Sequence, residues 1–545
     1  MNKKRYQKNL YLFLFFPVLF FADLLFSNCP QPDDKIEQPH IDISSSEDMQ
    51  KIGTAKSHPL YGIYTLVNDI TLENWLPIGN EAAPFTGIFD GNGSTIHLNS
   101  FSGVALSSQN YLGIFGYVKG DAAFEKTGIK NLTIVSAVEA KGFPASAQAI
   151  GLVAAYAECA LIEHITISGS LTFESGKTIL LGGIAGLLNQ PETILRNSSS
   201  SLTMNIIPGS GSGLAGYNYI GGIVGMFKNG AGIENCHTTG DLIADNTLND
   251  VSGQVFAGGI AGGSFYTMGT KYQGYIADSS STGIITGRAG GNWTFAGGIA
   301  GTIAGGTVNS EKNTTRIVRC FSAGKVSVEG TKSAYPHAGG ITGYLYFGAL
   351  VSQSCFSGAV IADKATDYTG GIAGYISQAT APNNSRIEDC WTGGTITGFN
   401  NAGGIAGQAQ INTFVRRNYS VAAVSAANSA GAFGVGGIAG SGYSALSGAI
   451  SANVALNPSL AAPMGDAINR ITGITGGNIS GNYAWSGMII NPGTGTYTPE
   501  TGAALAGGAT IDTQTPEQSF YESLGWDFIT VWKMGSNGLP QLQWQ

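Results

Sequence analysis

Charge is scarce in this chain. Asp, Glu, Lys and Arg make up 11% of its 545 residues, and the net charge is −8. A nucleic-acid partner needs a basic face, which this balance does not supply. The acidity also speaks against direct adsorption to anionic lipid. Histidine is sparse too, with six residues at positions 40, 58, 97, 164, 237 and 337. No H-E-x-x-H, G-x-S-x-G or Walker phrase occurs, so the motif-borne routes to protease, hydrolase and nucleotide chemistry are missing. The six cysteines include no C-x-x-C pair, which speaks against zinc. No metal, cofactor or catalytic residue is expected.

Glycine is plentiful, with 81 residues, and 43% of the chain is hydrophobic, enough to build a core. One phrase organises these residues. Gly182-Gly183-Ile184-Ala185-Gly186 begins again at Gly221, Gly258, Gly297, Gly339, Gly370, Gly403 and Gly436, in steps of 39, 37, 39, 42, 31, 33 and 33 residues. A phrase at such a period marks a repeat architecture. Its third position is Ile in every copy, which fits stacked coils of a parallel β-helix. Taking Ile372 as inward, alternation sends Gly374 and Ile376 inward and Ala373 and Tyr375 outward. Ile372→Asp should then open the rod, and Ala373→Asp should be nearly neutral. The fold expected is all-β: a parallel, right-handed β-helix of about ten or more coils with terminal caps.

A second column follows each phrase. Ile129 precedes Leu132 by three residues, and Ile162 precedes Ile165. Ile233 with Cys236, Ile276 with Ser279, Ile317 with Cys320, Ile387 with Cys390 and Val415 with Asn418 keep that spacing. Val351 reaches Cys355 with one extra residue. Cysteine thus fills a slot used elsewhere by Leu and Ile, as a small core residue. His237 points outward from inward Cys236. Cys320, Cys355 and Cys390 should stack in successive coils with parallel Cβ directions, so Cys159, Cys236, Cys320, Cys355 and Cys390 are all expected as free thiols.

The chain opens with Lys3, Lys4, Arg5 and Lys8 and an apolar run from Leu10 to Leu25, the layout of an export signal. Phe26-Ser27-Asn28-Cys29 resembles a bacterial lipoprotein signal, which implies acylation of Cys29 and removal of residues 1–28. A polar tether (29–42) follows, opening onto an N-terminal cap and diverged coils (43–180). Ser44 to Glu47 reads as a capping box and Asp90-Gly91-Asn92-Gly93 as a turn. The repeats proper span 181–440, irregular closing coils 441–510, and an aromatic C-terminal cap 511–545.

The stretch Phe85 to Ile96, the Gly-Gly-Ile-Ala-Gly phrases and the Ile-x-x-Cys corners together resemble GLUG-motif repeat proteins of bacterial surfaces, over about residues 43 to 545. The resemblance implies a parallel β-helix, lipid-anchored or secreted, with an adhesin-like role. The motif occurs in some bacterial IgA proteases, whose chemistry is expected in a separate domain. The function expected here is a lipid-anchored surface or outer-membrane β-solenoid of a diderm bacterium. It would bind a host or matrix protein or a glycan and no nucleic acid. The alternatives are a glycan-active β-helix enzyme and a purely structural envelope protein. A glycan-active site needs clustered carboxylates, whereas the charges here gather before the Cys corners: Glu311, Lys312, Arg316 and Arg319, then Arg386, Glu388 and Asp389, then Arg416 and Arg417. These read as a solvated edge. Ala300, in the small outward column after each Gly-Gly-Ile, together with Tyr344, Tyr346 and Tyr375, is the candidate contact surface.

Overall fold

Alternating apolar residues between tight corners give a rod of stacked coils. The computed structural model describes residues 37–545 apart from 104–109, 122, 124–126, 141–148, 176–178, 209–216, 248–252, 265–273, 290–292, 306–313, 330–334, 363–367, 378–383, 429–433, 443–448, 465–467, 476, 495–496 and 499. Cys29, the export signal, Glu311 and Lys312 therefore lie outside the described residues. The first strand, His40–Ile43, pairs in parallel with Ile63–Leu66 and so begins within the stretch read as tether. The short helix Ser46–Gln50 is capped by Ser45, whose side chain accepts from Asp48 N, one residue later than the capping box read from Ser44.

The fold is a parallel β-helix. Two 11-stranded parallel sheets run its length beside a wide sheet of 33 strands. One coil shows the plan. Trp293–Gly297 belongs to the first narrow sheet and Ala300–Ala304 to the second, while Arg316–Val318, Phe321–Ser322 and Lys325–Glu329 cross the wide sheet. The chain bends between the narrow sheets at Gly298-Ile299, and every Ile of the phrase, from Ile184 to Ile438, is fully buried. Diverged bends at Ile114, Val153 and Ile471 extend the same buried column at both ends. Each such side chain contributes roughly 1.5–3 kcal/mol on burial.

The bend also overturns one expectation. Ala300 is fully buried, as are Ala185, Ala261, Ala373, Ala406 and Ala439, and all six belong to the main core with the isoleucines. Alternation does not run straight through the phrase, because the chain turns at Gly371-Ile372 and the turn resets it. Ile372 and Ala373 both face the core, and Gly374 instead abuts the other narrow sheet, where a Cβ would stand 2.9 Å from Ala338 N. Ala300 is therefore no contact residue, and Ala373→Asp would bury a charge as Ile372→Asp does.

The second column corrects the cysteines. At each corner of the wide sheet one residue takes a left-handed backbone, among them Asn235 (φ 48°), Asp278 (φ 52°), Arg319 (φ 52°), Gln353 (φ 47°) and Asp389 (φ 55°). At the first corners the next residue is Leu132 or Ile165; from Ser198 onward it is small, polar and inward, and its side chain accepts the N–H of its counterpart one coil back. Cys236 N donates to Ser279 Oγ (3.1 Å), Cys320 N to Ser354 Oγ (3.1 Å) and Cys390 N to Asn418 Oδ1 (2.9 Å). Cys236, Cys320 and Cys390 are fully buried in this column, with serines between them. They stand two coil steps apart, roughly 9.6 Å, beyond disulfide reach. Cys355 is not in the column. Ser354 holds that place at the regular spacing, and Cys355 pairs with Phe321 and Trp391 on the outward side. Cys236, Cys320, Cys355 and Cys390 are free thiols, whereas Cys159 is disulfide-bonded, contrary to the expectation of five free thiols. The column continues as an asparagine ladder, Asn418 to Asn453 (3.0 Å) and Asn453 to Asn482 (3.0 Å), so the closing coils are regular at this corner.

Residues 511–545 lie along the flank of the rod. Trp526 Nε1 donates to Ala452 O (3.0 Å), Tyr419 OH to Pro540 O (2.6 Å) and Trp544 Nε1 to Gln353 O (2.9 Å), so this segment runs back over successive coils as a strap. Its Trp532 and Tyr521 are fully buried against Tyr419 and Val454.

Candidate functional site

The two narrow sheets meet backbone to backbone at the bend. A Cβ on Gly301 would stand 2.6 Å from Ala257 N and 2.7 Å from Gly262 O, so only glycine permits the approach. Farther from the bend the sheets diverge, and a ladder of side chains fills the cleft between them. Tyr219, Phe256, Phe295 and His337 come from the first sheet, and Leu187, Met226, Tyr344 and Tyr375 from the second. Ring centroids are 4.6 Å apart for Tyr219–Phe256, 5.2 Å for Phe256–Phe295 and 4.9 Å for Phe295–His337. Tyr344 stacks on Tyr375 at 5.1 Å and on Tyr346 at 4.6 Å. The structure thus brings the three sequence-named tyrosines together, each partly exposed, and leaves Ala300 in the core.

His337 is the imidazole of the ladder. Its Nδ1 donates to Pro336 O at 2.8 Å, and burial holds its pKa down at about 3, so it is a neutral packing ring. Burial likewise pushes the Tyr344 hydroxyl up to about 12, and that hydroxyl hydrogen-bonds Ser377 Oγ at 2.7 Å. At the cleft's mouth Tyr335 is 44% and Tyr217 37% exposed. Trp293, next to Tyr335 across the ladder, stacks on Phe295 at 6.0 Å. Sequence reasoning missed the buried rings. The signal was an aromatic or imidazole two residues before the first glycine, present as Tyr219, Phe256, Phe295, His337 and Tyr368.

At the cleft's N-terminal end one carboxylate is buried. Glu158 accepts from Tyr117 OH (3.3 Å) and Tyr156 OH (3.3 Å) and pairs with Lys119 Nζ at 3.1 Å. Its oxygens are thus engaged by groups that fix it in place. The edge charges are paired as well. Arg417 reaches Glu388 and Asp389, each at 2.8 Å, and Arg416 reaches Glu388 at 3.0 Å. The guanidinium of Arg417 is held above its usual pKa, first by its hydrogen bond to Asp389. Trp532 of the strap covers the pair, its Nε1 3.5 Å from Asp389 Oδ1. Glu388 and Asp389 are under one-tenth exposed, so they form a buried ion-pair network and not the solvated edge expected from sequence. Arg319 pairs with Asp278 at 2.6 Å, and Arg316 lies over the Tyr275 ring at 5.2 Å. Among the described residues no group of three or more His, Cys, Asp or Glu is placed to hold a metal ion.

No family model and no curated protein matches the chain. A solved structure from Bacteroides ovatus, provisionally assigned as an immunoglobulin A1 protease, aligns over 92% of this chain and 92% of its own at 16% identity and a TM-score of 0.27. So low a score carries no argument about activity.

Proposed function

We propose that the chain is an exported β-solenoid of a diderm bacterial surface, held to the membrane by lipid on Cys29. It works as an adhesin-like binding scaffold and carries out no reaction. The observation that supports this reading is the aromatic mouth of the cleft. Trp293 and Tyr335 pair on adjacent coils, Tyr346 lies on the coil of Tyr335 and Tyr217 two coils before Trp293, with Tyr217 and Tyr335 more than a third exposed. Rigid aromatics with polar tips suit a protein interface, because they contribute area at little entropic cost. The ligand on this reading is a protein of the host or matrix. Binding of the intact protein to an array of matrix proteins tests it. The double substitution Trp293→Ser, Tyr335→Ser should abolish the strongest interaction; if every interaction survives unchanged, the mouth is not the contact surface.

The anchor rests on the basic start, the apolar run and Cys29. A fatty-acid analogue should label wild type and not Cys29→Ala. Non-reducing mass mapping of the exported protein overturns the anchor if Cys159 is found bridged to Cys29.

A further inference from the structure

Two open hollows of about 480 and 500 Å³ lie end to end on the outer corner of the wide sheet and share His237. Together they form one shallow groove parallel to the rod. Asn197, Asn235, Asp278 and Arg319 line one side, all at left-handed corner positions, with His237 and Ser280 on the other. The corner backbone aims these side chains outward at successive coils, roughly 4.8 Å apart.

The groups are held in place before any ligand arrives. His237 Nε2 donates to Asn235 Oδ1 at 3.1 Å, which leaves Nδ1 of the neutral ring to accept from Ser280 Oγ at 2.9 Å. Asn235 Nδ2 in turn donates to Asn197 Oδ1 at 2.9 Å. The bonds run in one direction along the rod, and such a chain polarises its members. Arg319 grips Asp278 with two bonds, at 2.6 and 2.7 Å, so the charges cancel while further N–H and oxygen sites remain. At the far end stand Phe321 and Trp544, the latter pinned through its Nε1 to Gln353 O and 37% exposed.

A shallow, electrically balanced row of planar donors and acceptors that ends at an aromatic ring does not suit a phosphate, which needs unpaired positive charge. Nor does it offer the buried apolar centre on which protein interfaces rely. It does suit a polyhydroxylated chain. Sugar hydroxyls pair with amides, hydroxyls and carboxylate, a sugar's C–H face packs on an indole ring, and one pyranose in an extended β-linked chain advances by nearly one coil step. We propose that this groove binds an extended, uncharged oligosaccharide, one ring against Trp544 and the following hydroxyls on Asp278–Arg319, Ser280 and Asn235, the last two held in place by His237. Because the side chains are already fixed, little ordering is lost on binding. The site is separate from the aromatic mouth of the cleft.

The test uses the intact protein, saturation-transfer NMR and titration calorimetry, with uncharged β-linked hexasaccharides of glucose, mannose and xylose and a hexauronate as anionic control. At least one uncharged chain should bind and the hexauronate should not. His237→Ala and Trp544→Ala should each weaken binding about tenfold or more, while Tyr335→Ser at the cleft's mouth should leave it unchanged. Trp544 also fastens the strap, so His237→Ala, with an unaltered melting curve, is the deciding variant. Silence across the panel, preference for the hexauronate, or indifference to His237→Ala overturns the proposal. Loss with Tyr335→Ser alone would place sugar binding at the cleft and overturn it equally.

Discussion

Along the corner of the wide sheet one column of outward residues makes two different surfaces. Over its first coils it reads Thr133, Thr166, Ser199, His237 and Ser280, and from there it reads Phe321, Cys355, Trp391, Tyr419, Val454 and Tyr483. The backbone is the same throughout and the pairing never slips. What changes is the covering. Cys355 and Val454 are fully buried beneath the strap, and Tyr419 nearly so, whereas His237 is exposed. In a solenoid the inward positions are constrained by the coils above and below, and the outward ones answer only to what lies on them. The composition of an outward column therefore records its cover. The polar half is open and forms the groove, and the apolar half is the strap's seat.

The largest expected effect comes from breaking the seat. Trp532 is fully buried, and its ring centroid lies 4.8 Å from that of Trp526 and 6.0 Å from that of Tyr419. Trp532→Ala should cost about 3–5 kcal/mol, the usual range for removing a buried aromatic. Because each coil is held mainly by its neighbours, the loss should stay with the strap and the coils beneath it. Hydrogen exchange followed by mass spectrometry should show faster exchange around Tyr419, Val454 and 520–545. Protection around Ser199 and His237 should be unchanged. Equal loss in both halves would mean that the strap stabilises the whole rod and that the two surfaces are not independent.

The interior was the legible part of this chain. An Ile at one place in a repeated phrase has to be inward, because a charged or polar alternative at that site would break every coil contact, and all eight are buried. Two places resisted the same logic for physical reasons. Alternation holds within a strand but not across a bend, so it puts Ala300 and its companions on the wrong face. Spacing alone could not decide between Ser354 and Cys355, since either residue is small enough for the column. The left-handed Gln353 settles it by fixing where the corner falls. The strap was recognisable as an aromatic cover, but residues 511–545 carry no period that would say where it lies. That information sat in Phe321, Trp391 and Tyr419, outward aromatics with no reason to be there unless covered. The candidate sites were only half visible. The three tyrosines emerged from alternation, whereas the groove depends on corner residues that are far apart in the chain and share nothing but a backbone conformation.

The smallest expected effect is also the sharpest probe of the comparison, because it reads a single sulfur. Cys355 lies in the outward column with Gln545 Nε2 3.1 Å from its Sγ, and only the strap separates it from solvent. Cys236, Cys320 and Cys390 lie in the inward column, each thiol directed at the carbonyl two residues before it, at 3.3, 3.4 and 3.2 Å. Burial pushes the thiols of Cys236 and Cys320 up to about 12, and those of Cys355 and Cys390 also rise, so none of the four is reactive in the closed protein. Alkylation of the native protein with a maleimide should therefore be slow at all four. In Trp532→Ala the strap opens more often. A loss of about 3 kcal/mol raises the open fraction roughly a hundredfold, and Cys355 alone should gain reactivity in proportion. Peptide mapping after timed labelling reads this directly. If Cys320 or Cys390 reacts alongside Cys355, the inward column opens with the strap, and the outward column does not divide where its composition changes.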